Sequence, residues 1–407
     1  MISFNASSEF SALAETVTVS AFESVAVVGS AMHAPRDARL QSLEEAIYHV
    51  GQCALADAGL VIADIDGIVV GANDQLDGRA ISIMMASGSV GGVGRDILST
   101  PSAAEHAFVL GAMRVSTGQF RTQLVVAWSP LETTSVSDAL RLGTDPYFHR
   151  ALPLDELSAN ALQASAIEHA VPGIRAVAID IVVKNRRHGA FAYPDRSAVP
   201  RERVWVESGR PLRWPLTDAM VTPPAYGLVT LVLAAADAVE ERHLSAPAWI
   251  PGIGWATETG FLGDRYLASA PGLAAAAAQA YAEARISDPV SAFQVAEVSD
   301  ATPYHELLAC EGLGLCSRNE WLNLDGRFAV GGPLPVNPSG GALSFNPVYC
   351  TGLMRIAEAA NQVRGRAGTH QVHAVRRALA HASSGFAMQS NTVVVMGSER
   401  TRSRDHG

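Results

Sequence analysis

The residues able to do chemistry are few in kind, and their spacing argues against several mechanisms. The four cysteines, Cys53, Cys310, Cys316 and Cys350, are too few for a disulfide scaffold in a chain of 407 residues. No Cys-x-x-Cys and no His-Glu-x-x-His occurs, so the sequence gives no support to a metal site. Lys184 is the only lysine, and chemistry that requires an amine therefore has a single candidate.

The composition is that of a globular protein with an excess of acidic residues. Of the 407 residues, 48% are hydrophobic and 17% are charged, and the formal net charge is −10. The basic residues are scattered, which argues against a nucleic-acid partner. No apolar stretch approaches the roughly 20 residues needed to cross a bilayer, and the N-terminus carries Glu9 and Glu15 with no basic region. We expect a soluble cytoplasmic protein of two or three domains, or one two-lobed α/β unit.

The order of the predicted elements indicates a parallel sheet in the N-terminal part. Residues 24–30 predict a buried strand, residues 42–58 a helix, and residues 65–70 a second strand. A strand, a helix and a strand in succession are typical of a parallel α/β sheet. Residues 99–102 predict the start of a further helix, because a Ser or Thr cap followed by proline favours that position.

The rest of the chain divides into an insertion and a second half. Residues 129–220 interrupt the alternation with helices and Pro- and Arg-rich loops, and we interpret them as an insertion or lid on the sheet. Residues 246–251 predict a linker, and residues 371–380 predict a helix in the second half. The predicted domains are an arm at residues 1–22, an N-terminal half at 23–250 that contains the insertion at about 129–220, and a C-terminal half at 251–407.

Several sequence blocks, spread over nearly the whole chain, resemble a known superfamily. The longest is Asn337–Gly352 (NPSGGALSFNPVYCTG), which continues as LMRIAEAANQVRGRAG and then QVHAVRRALAHASSG. Further blocks are Val183–Gly189 (VKNRRHG), Ala54–Gly67 (ALADAGLVIADIDG) and Glu306–Cys316 (ELLACEGLGLC). These blocks resemble the thiolase superfamily, in particular its sterol-carrier-protein-type and lipid-transfer-protein-type branch. The resemblance implies an α/β thiolase fold, with five αβαβα layers built from two similar mixed-sheet halves plus a loop domain.

The residues that carry thiolase chemistry are replaced in this chain. Thiolases place a nucleophilic Cys at the start of the helix that ends here near Thr117, and the family's spacing puts Pro101 at that position. The His of the Gly-His-Pro motif is replaced by Asn346, and the late acid/base Cys falls near His381. The family's catalytic motif before a later helix reads Val298-Ser299-Asp300. Because proline cannot attack a thioester, the ordinary thiolase acyl-enzyme is not expected.

Two tyrosines stand where thiolases lack them. Tyr349 occupies a position in NPVYCTG that is usually glycine, and Tyr304 lies at a predicted helix start. Both features resemble the Cys-lacking steroid side-chain aldolases, which cleave a β-hydroxyacyl-CoA into a ketone and a shortened acyl-CoA with Tyr as acid and base. The resemblance therefore implies a retro-aldolase in which Tyr349 and Tyr304 are catalytic. For each tyrosine, the alternative is a packed side chain with a satisfied hydroxyl.

A retro-aldol reaction also needs donors that hold the thioester enolate as the carbon–carbon bond breaks. The candidates are Asn346, His305, His381 and the backbone N–H groups near Ser383–Gly385. A Schiff-base aldolase would need a lysine at the chemistry, whereas Lys184 lies in the VKNRRHG segment, which we expect at the CoA end. A metal-dependent aldolase would need a ligand cluster that the sequence lacks. Of these three aldolase mechanisms, acid/base catalysis by tyrosine is the one that remains.

The resemblance also supplies candidates for substrate binding. Those at the CoA end or near the thioester are Lys184, Arg186, Arg187, Gly340, Gly341 and Gly385. The glycines would allow close approach of the backbone to the thioester. A CoA thioester is expected as the substrate, with no cofactor and no metal.

Two other functions stay open on the sequence alone. One is an atypical thiolase or acyltransferase that uses Ser99, Ser102 or a group supplied by a partner, and it would leave an acyl-enzyme adduct. The other is a non-catalytic subunit that binds acyl-CoA. The resemblance further implies a homodimer through the N-terminal halves and a small OB-fold partner with a zinc ribbon, which together would form a heterotetramer. We expect no nucleic-acid partner and no membrane span.

Overall fold

The computed structural model describes residues 24–34, 41–78, 80–129, 135–142, 144–149, 151–152, 154–195 and 199–400. The predicted arm at residues 1–22 and part of the predicted insertion lie outside these ranges. Within them, no helix combines the length and the apolar character that a membrane crossing requires.

Most strands in the described ranges form one mixed sheet. The strands are β1 (Val25–His33), β2 (Gly67–Gly71), β3 (Asp96–Thr100), β4 (Thr122–Ser129), β5 (Pro211–Arg213), β6 (Leu216–Thr217), β7 (Gly227–Ala235), β8 (Ala248–Thr257), β9 (Val295–Glu297), β10 (Arg377–Ser384) and β11 (Ser390–Gly397). The order across the large sheet is β3-β2-β4-β7-β1-β8-β11-β10-β9, while β5 and β6 pair separately. Parallel pairs lie towards each outer end, and antiparallel pairs lie in the middle.

The two halves of the sheet meet along a short seam. Strands β1 and β8 pair only through Ala26 with Trp249 and Val27 with Ala248. The strands from β3 to β1 in the sheet order therefore form one half of the sheet, and those from β8 to β9 form the other half. Helices pack between the two halves.

The helices in the described ranges lie between and outside these strands. They are α1 (Leu43–Ala58), α2 (Asp74–Asp77), α3 (Ser82–Ala86), α4 (Ala104–Ser116), α5 (Val136–Leu142), α6 (Glu156–Ala170), α7 (Ile174–Ala192), α8 (Arg203–Glu207), α9 (Ala236–Glu241), α10 (Pro271–Ala284), α11 (Pro289–Ala292), α12 (Pro303–Gly312) and α13 (Thr351–Arg364). Those from α5 to α8 lie within the predicted insertion at about residues 129–220.

Three apolar cores separate the layers of the molecule. The outer core of the N-terminal half packs α1 and α9 on one sheet face. The central core buries α4 and α13 between the two halves of the sheet. The third core packs α10, α12, α6 and α7 on the far face of the C-terminal strands. The resulting helix–sheet–helix–sheet–helix order confirms the layered α/β architecture that the sequence predicts.

Helix α1 illustrates how local sequence sets an element. The Ser42 hydroxyl accepts a hydrogen bond from the Glu45 backbone N–H, and the Glu45 carboxylate accepts one from the Ser42 N–H, which forms a capping box. Gly59 ends the helix with φ of 72°, a left-handed conformation that glycine adopts at little cost. The helix predicted at residues 42–58 is confirmed.

Two predictions about the second half are wrong. Residues 371–380 are not a helix, because β10 begins at Arg377 and its pairing with β9 and β11 overrides the helix propensity of its alanines. Residues 246–251 are not a linker, since they enter β8. The glycines of that strand hide its pattern: a Cβ at Gly254 would lie 1.9 Å from the Ala276 carbonyl oxygen, so α10 packs directly on the backbone.

Candidate active site

A cavity of about 980 Å³ opens where the two halves of the sheet and the insertion meet. Its wall includes the segment before α4, the loop before α13 and the turn between β10 and β11. Phe148 and His149 of the insertion and Phe261 of the C-terminal half also line it, and His149 stacks at 5.6 Å from Phe261 between ring centres. The cavity therefore draws polar groups from both halves into one space, as ligand sites usually do.

Tyr349 lies on the cavity wall immediately before α13. Its side chain is buried, and its hydroxyl donates a hydrogen bond to the Thr100 carbonyl oxygen, 3.1 Å away. Burial raises the pKa of this phenol, and the nearby Glu105 carboxyl raises that pKa further. At neutral pH Tyr349 is therefore a protonated phenol, a donor rather than a base.

The part of the wall that the family's spacing aligns with the thiolase sulfur is built differently from the prediction. The helix does not start at residues 99–102, because β3 continues to Thr100 by pairing with β2, and α4 starts only at Ala104. Pro101 and Ser102 therefore form a connection that lines the cavity. Ser102 Oγ lies 2.9 Å from His106 Nδ1, and His106 Nε2 lies 3.3 Å from Ser390 Oγ.

Asn346 and Gly385 line the same cavity. The Asn346 side-chain N–H donates to the Thr222 carbonyl oxygen over 2.9 Å, which fixes the amide at the wall. Gly385 has φ of 73° and makes the turn after β10, where the Ser383 N–H donates to Ser299 Oγ over 2.8 Å. Three parts of the predicted site, Tyr349, Asn346 and the segment around Gly385, are thus brought together.

His381 and His305 lie behind the wall instead of in it. His381 is fully buried on β10, and its Nε2 lies 3.1 Å from Asn391 Oδ1. His305 is buried in the first turn of α12, and neither ring nitrogen has a hydrogen-bond partner among the described residues. Burial lowers the pKa of His381 to about 4 and that of His305 to about 3, so both rings are neutral at pH 7.

Tyr304 occupies a different environment from Tyr349. Its ring is fully buried in the core beneath the insertion, and its hydroxyl donates to the Glu168 carboxylate on α6. Burial raises the pKa of this phenol, and Tyr304 is not among the residues that line the cavity. Its contacts are those of a packing residue with a satisfied hydroxyl.

The predicted substrate-binding residues lie away from the cavity, apart from Gly385. Lys184 Nζ pairs with the Glu306 carboxylate at 2.9 Å and donates to the Val336 carbonyl oxygen. Arg186 is buried, and its guanidinium lies 5.1 Å from the Trp205 ring centre, whereas Arg187 is exposed. Gly340 and Gly341 both have positive φ; a Cβ would meet Gly189 backbone at the first and the Asp300 carboxylate at the second. They permit close packing of this loop.

Three charged groups on the wall were not among the predicted site residues: Glu105 and Arg355 were missed, and Asp300 was noted only as part of a replaced family motif. Glu105 is 2% exposed on α4, Asp300 is fully buried, and Arg355 is buried on α13. Asp300 accepts hydrogen bonds from the Ala342 and Asn185 N–H groups, and burial raises its pKa to about 6. A glutamate in the first turn of a helix is usually explained by the helix dipole. The sequence signal for Glu105 was therefore present but not specific.

None of the four cysteines lines the cavity. Cys53 is exposed on α1, while Cys310 and Cys316 are buried in the core around α12. Cys350 is fully buried beside Tyr349, its thiol lies 3.6 Å from the Gly227 carbonyl oxygen, and burial raises its pKa. Within the described ranges, no cluster of His, Cys, Asp and Glu is placed to hold a metal ion.

Layered halves around such a cavity define a protein of the thiolase fold. Residues 261–398 match the family described as thiolase C-terminal domain-like, and the predicted resemblance to the thiolase superfamily is confirmed. The structure is also similar to that of the Ltp2-ChsH2(DUF35) aldolase, with a TM-score of 0.76 and 22% identity over 93% of this chain and 99% of the other.

Two curated relatives agree with this placement. The benzoylsuccinyl-CoA thiolase subunit BbsB of Thauera aromatica is 29% identical over 219 residues, which cover 52% of this chain and 56% of the relative. Human sterol carrier protein 2 is 41% identical over 90 residues, which cover 21% of this chain and 16% of the relative. The chain thus spans about half of the first relative and a small part of the second.

Proposed function

We propose that this protein is a thiolase-fold lyase that cleaves a β-hydroxyacyl-CoA by a retro-aldol reaction into a ketone and a shortened acyl-CoA. The observation that carries the proposal is the cavity wall itself, where Tyr349 presents a protonated phenol beside Pro101 and none of the four cysteines is present. Similarity to the Ltp2-ChsH2(DUF35) aldolase supports the same reaction class. A bulky acyl group, such as a steroid side chain, is the proposed substrate.

The chemistry needs three groups in one place. A base takes the β-hydroxyl proton, donors hold the thioester enolate that forms as the carbon–carbon bond breaks, and an acid protonates the α-carbon. Tyr349 is suited to the acid step, since its raised pKa keeps the phenol protonated until the enolate appears. The backbone N–H groups around Gly385 and the half-buried Asn346 are the proposed enolate and substrate contacts.

The proposal extends to assembly. We propose a homodimer through the N-terminal half, and β3 supports it as an edge strand of the sheet on which Leu98 is 45% exposed. A small OB-fold partner of the DUF35 kind, like the ChsH2(DUF35) component of the similar aldolase, would complete a heterotetramer. Co-expression with such a partner and co-purification would test this part.

The decisive experiment uses the purified full chain, alone and with its partner, and a branched β-hydroxyacyl-CoA. We expect release of a ketone with CoA still esterified to the shortened acid, and no requirement for free CoA. Mass spectrometry of both products measures this. A strict requirement for free CoA would contradict the lyase and indicate thiolysis.

Acyl transfer is a second candidate, and one contact favours it. Ser102 Oγ lies 2.9 Å from His106 Nδ1 on the cavity wall, the geometry of a nucleophile beside a base. This function predicts an acyl-enzyme on Ser102, which the lyase does not form.

A further inference from the structure

One carboxyl group in the cavity wall has no assigned use. Glu105 lies in the first turn of α4, is 2% exposed, and lines the cavity. Its Oε1 has no hydrogen-bond partner among the residues that the structure describes. An unpartnered carboxylate oxygen at the wall of a cavity is costly unless a ligand or a proton meets it.

The start of α13 holds this carboxyl group in place. A Cβ at Gly352 would lie 2.3 Å from Glu105 Oε2, so the carboxyl packs directly on the backbone of the first turn of that helix. Free N–H groups at a helix start favour a negative charge. Burial acts in the opposite direction and raises the pKa of Glu105 above its ordinary value. The Glu105 carboxylate is therefore a stronger base than an exposed glutamate, because its conjugate acid has the higher pKa.

None of the predicted site residues supplies the base of the proposed retro-aldol reaction. Tyr349 keeps its proton, and Tyr304 is bonded to Glu168 in the core, away from the cavity. His305 and His381 lie behind the wall.

Two further titratable groups on the wall already have partners: Asp300 accepts hydrogen bonds from Ala342 and Asn185, and the ring nitrogens of His106 contact Ser102 and Ser390. We propose that Glu105 is the catalytic base that takes the β-hydroxyl proton of the substrate, a role that rests on the proposed lyase function.

Protons and electrons balance in the proposed step. The Glu105 carboxylate accepts the hydroxyl proton, the carbon–carbon bond breaks, and its electron pair forms the thioester enolate. Tyr349 gives its phenolic proton to the α-carbon, and the proton on Glu105 then returns to the Tyr349 oxygen. No oxidant, metal or second substrate is needed. Glu105 and Tyr349 both line the cavity, and the Glu105 carboxyl contributes to the raised pKa of the Tyr349 phenol.

Other titratable groups surround Glu105 and belong in the account of any pH profile. They are His106 on its own helix, Tyr349, Cys350 and Arg355 on the α13 side, Asp300 on the loop after β9, and Asp77 near Tyr349. An acidic limb in the pH profile of kcat/KM can therefore be assigned to Glu105 only if substitution of Glu105 removes or shifts that limb.

The test compares the wild type with Glu105→Gln and Glu105→Asp, each as the full chain with its partner. We expect Glu105→Gln to lower kcat by about 100-fold or more, the usual contribution of a general base, with a smaller change in KM. In the wild type, kcat/KM falls as the pH drops through the Glu105 pKa, and Glu105→Gln should lose that acidic limb. Glu105→Asp should retain measurable turnover and shift the limb. Glu283→Gln, the same change on α10 outside the cavity, is the matched control.

The outcomes separate the two proposals. A wild type that releases no ketone from any β-hydroxyacyl-CoA overturns the lyase. An active wild type together with a Glu105→Gln variant of unchanged kcat and unchanged pH profile overturns only the role of Glu105. Binding of the shortened acyl-CoA product, measured by calorimetry, shows whether the cavity of Glu105→Gln is intact. Lost turnover with retained binding supports the base, whereas lost turnover with lost binding in both Glu105 variants overturns it in favour of a structural role.

Discussion

The Tyr349 hydroxyl donates to the Thr100 carbonyl oxygen over 3.1 Å, and this bond joins positions 249 residues apart in the chain. It ties the loop before α13 to the end of β3, directly beside Pro101. The phenol is therefore held next to Pro101, the residue that the family's spacing aligns with the thiolase sulfur. In the proposed lyase reaction, the substrate meets a proton donor here instead of a nucleophile.

Tyr349→Phe and Tyr304→Phe form a matched pair, since both remove one hydroxyl from a buried ring. We expect Tyr349→Phe to lower turnover by about 100-fold or more, because the acid of the enolate step is lost. Tyr304→Phe should leave turnover nearly unchanged and cost about 1–3 kcal/mol of unfolding free energy, because a hydrogen bond to the Glu168 carboxylate is lost while the contact of Glu168 with Arg175 remains. Ketone release and urea unfolding measure the two effects. Equal loss of turnover in both variants would contradict the assignment of Tyr349 as the acid and Tyr304 as a packing residue. Unchanged activity of a complex that contains Tyr349→Phe would favour a non-catalytic subunit.

Gly352→Ala should lower turnover roughly 10- to 100-fold, the scale on which a displaced catalytic group acts. The new methyl group would lie 2.3 Å from Glu105 Oε2 and push the carboxyl away from its position. Gly51→Ala is the control, because a Cβ at that site on α1 meets nothing within 4 Å. Measurement of kcat for both variants at one pH is sufficient to test this prediction. Full activity of Gly352→Ala would mean that the position of Glu105 is unimportant.

Acyl-enzyme formation separates the lyase from acyl transfer. We expect no increase in the intact mass of the wild type after incubation with an acyl-CoA, and Ser102→Ala should still release ketone. The Ser102 hydroxyl contacts His106, and the proposed lyase reaction assigns it no step. An acyl adduct that disappears in Ser102→Ala would reverse this conclusion.

Buried histidine makes stability depend on pH. The pKa of His305 is about 3 in the folded protein against an ordinary 6.5, because burial disfavours the charged ring. Between these values the unfolded state binds more protons, so stability falls as the pH drops. His305 alone should cost about 2 kcal/mol between pH 7 and pH 5. His305→Leu, which removes no hydrogen bond made by the ring, should reduce the pH dependence by that amount in urea unfolding. The exposed His373→Gln is the control, and an unchanged dependence in His305→Leu would refute the explanation.

Much of the fold could be predicted from the sequence. Buried strands such as β4 and β7 are continuous apolar runs because both faces are covered, and α1 carries its own start and stop signals. The prediction failed at β8 and β10. There, glycines in close contact with α10 and alanines that prefer a helix obscure the strand pattern, and only pairing with neighbouring strands decides the conformation.

The sequence by itself determined the resemblance to thiolases, the replacement of the sulfur position by Pro101, and the place of Tyr349 within the family's motif. It could not rank Tyr349 above Tyr304, because both lie next to helix starts and local patterns do not report which side a ring faces. Only tertiary packing put one phenol in the cavity and the other against Glu168, and only it placed the Glu105 carboxyl against Gly352. These contacts join segments far apart in the chain, and their geometry depends on the layers between them.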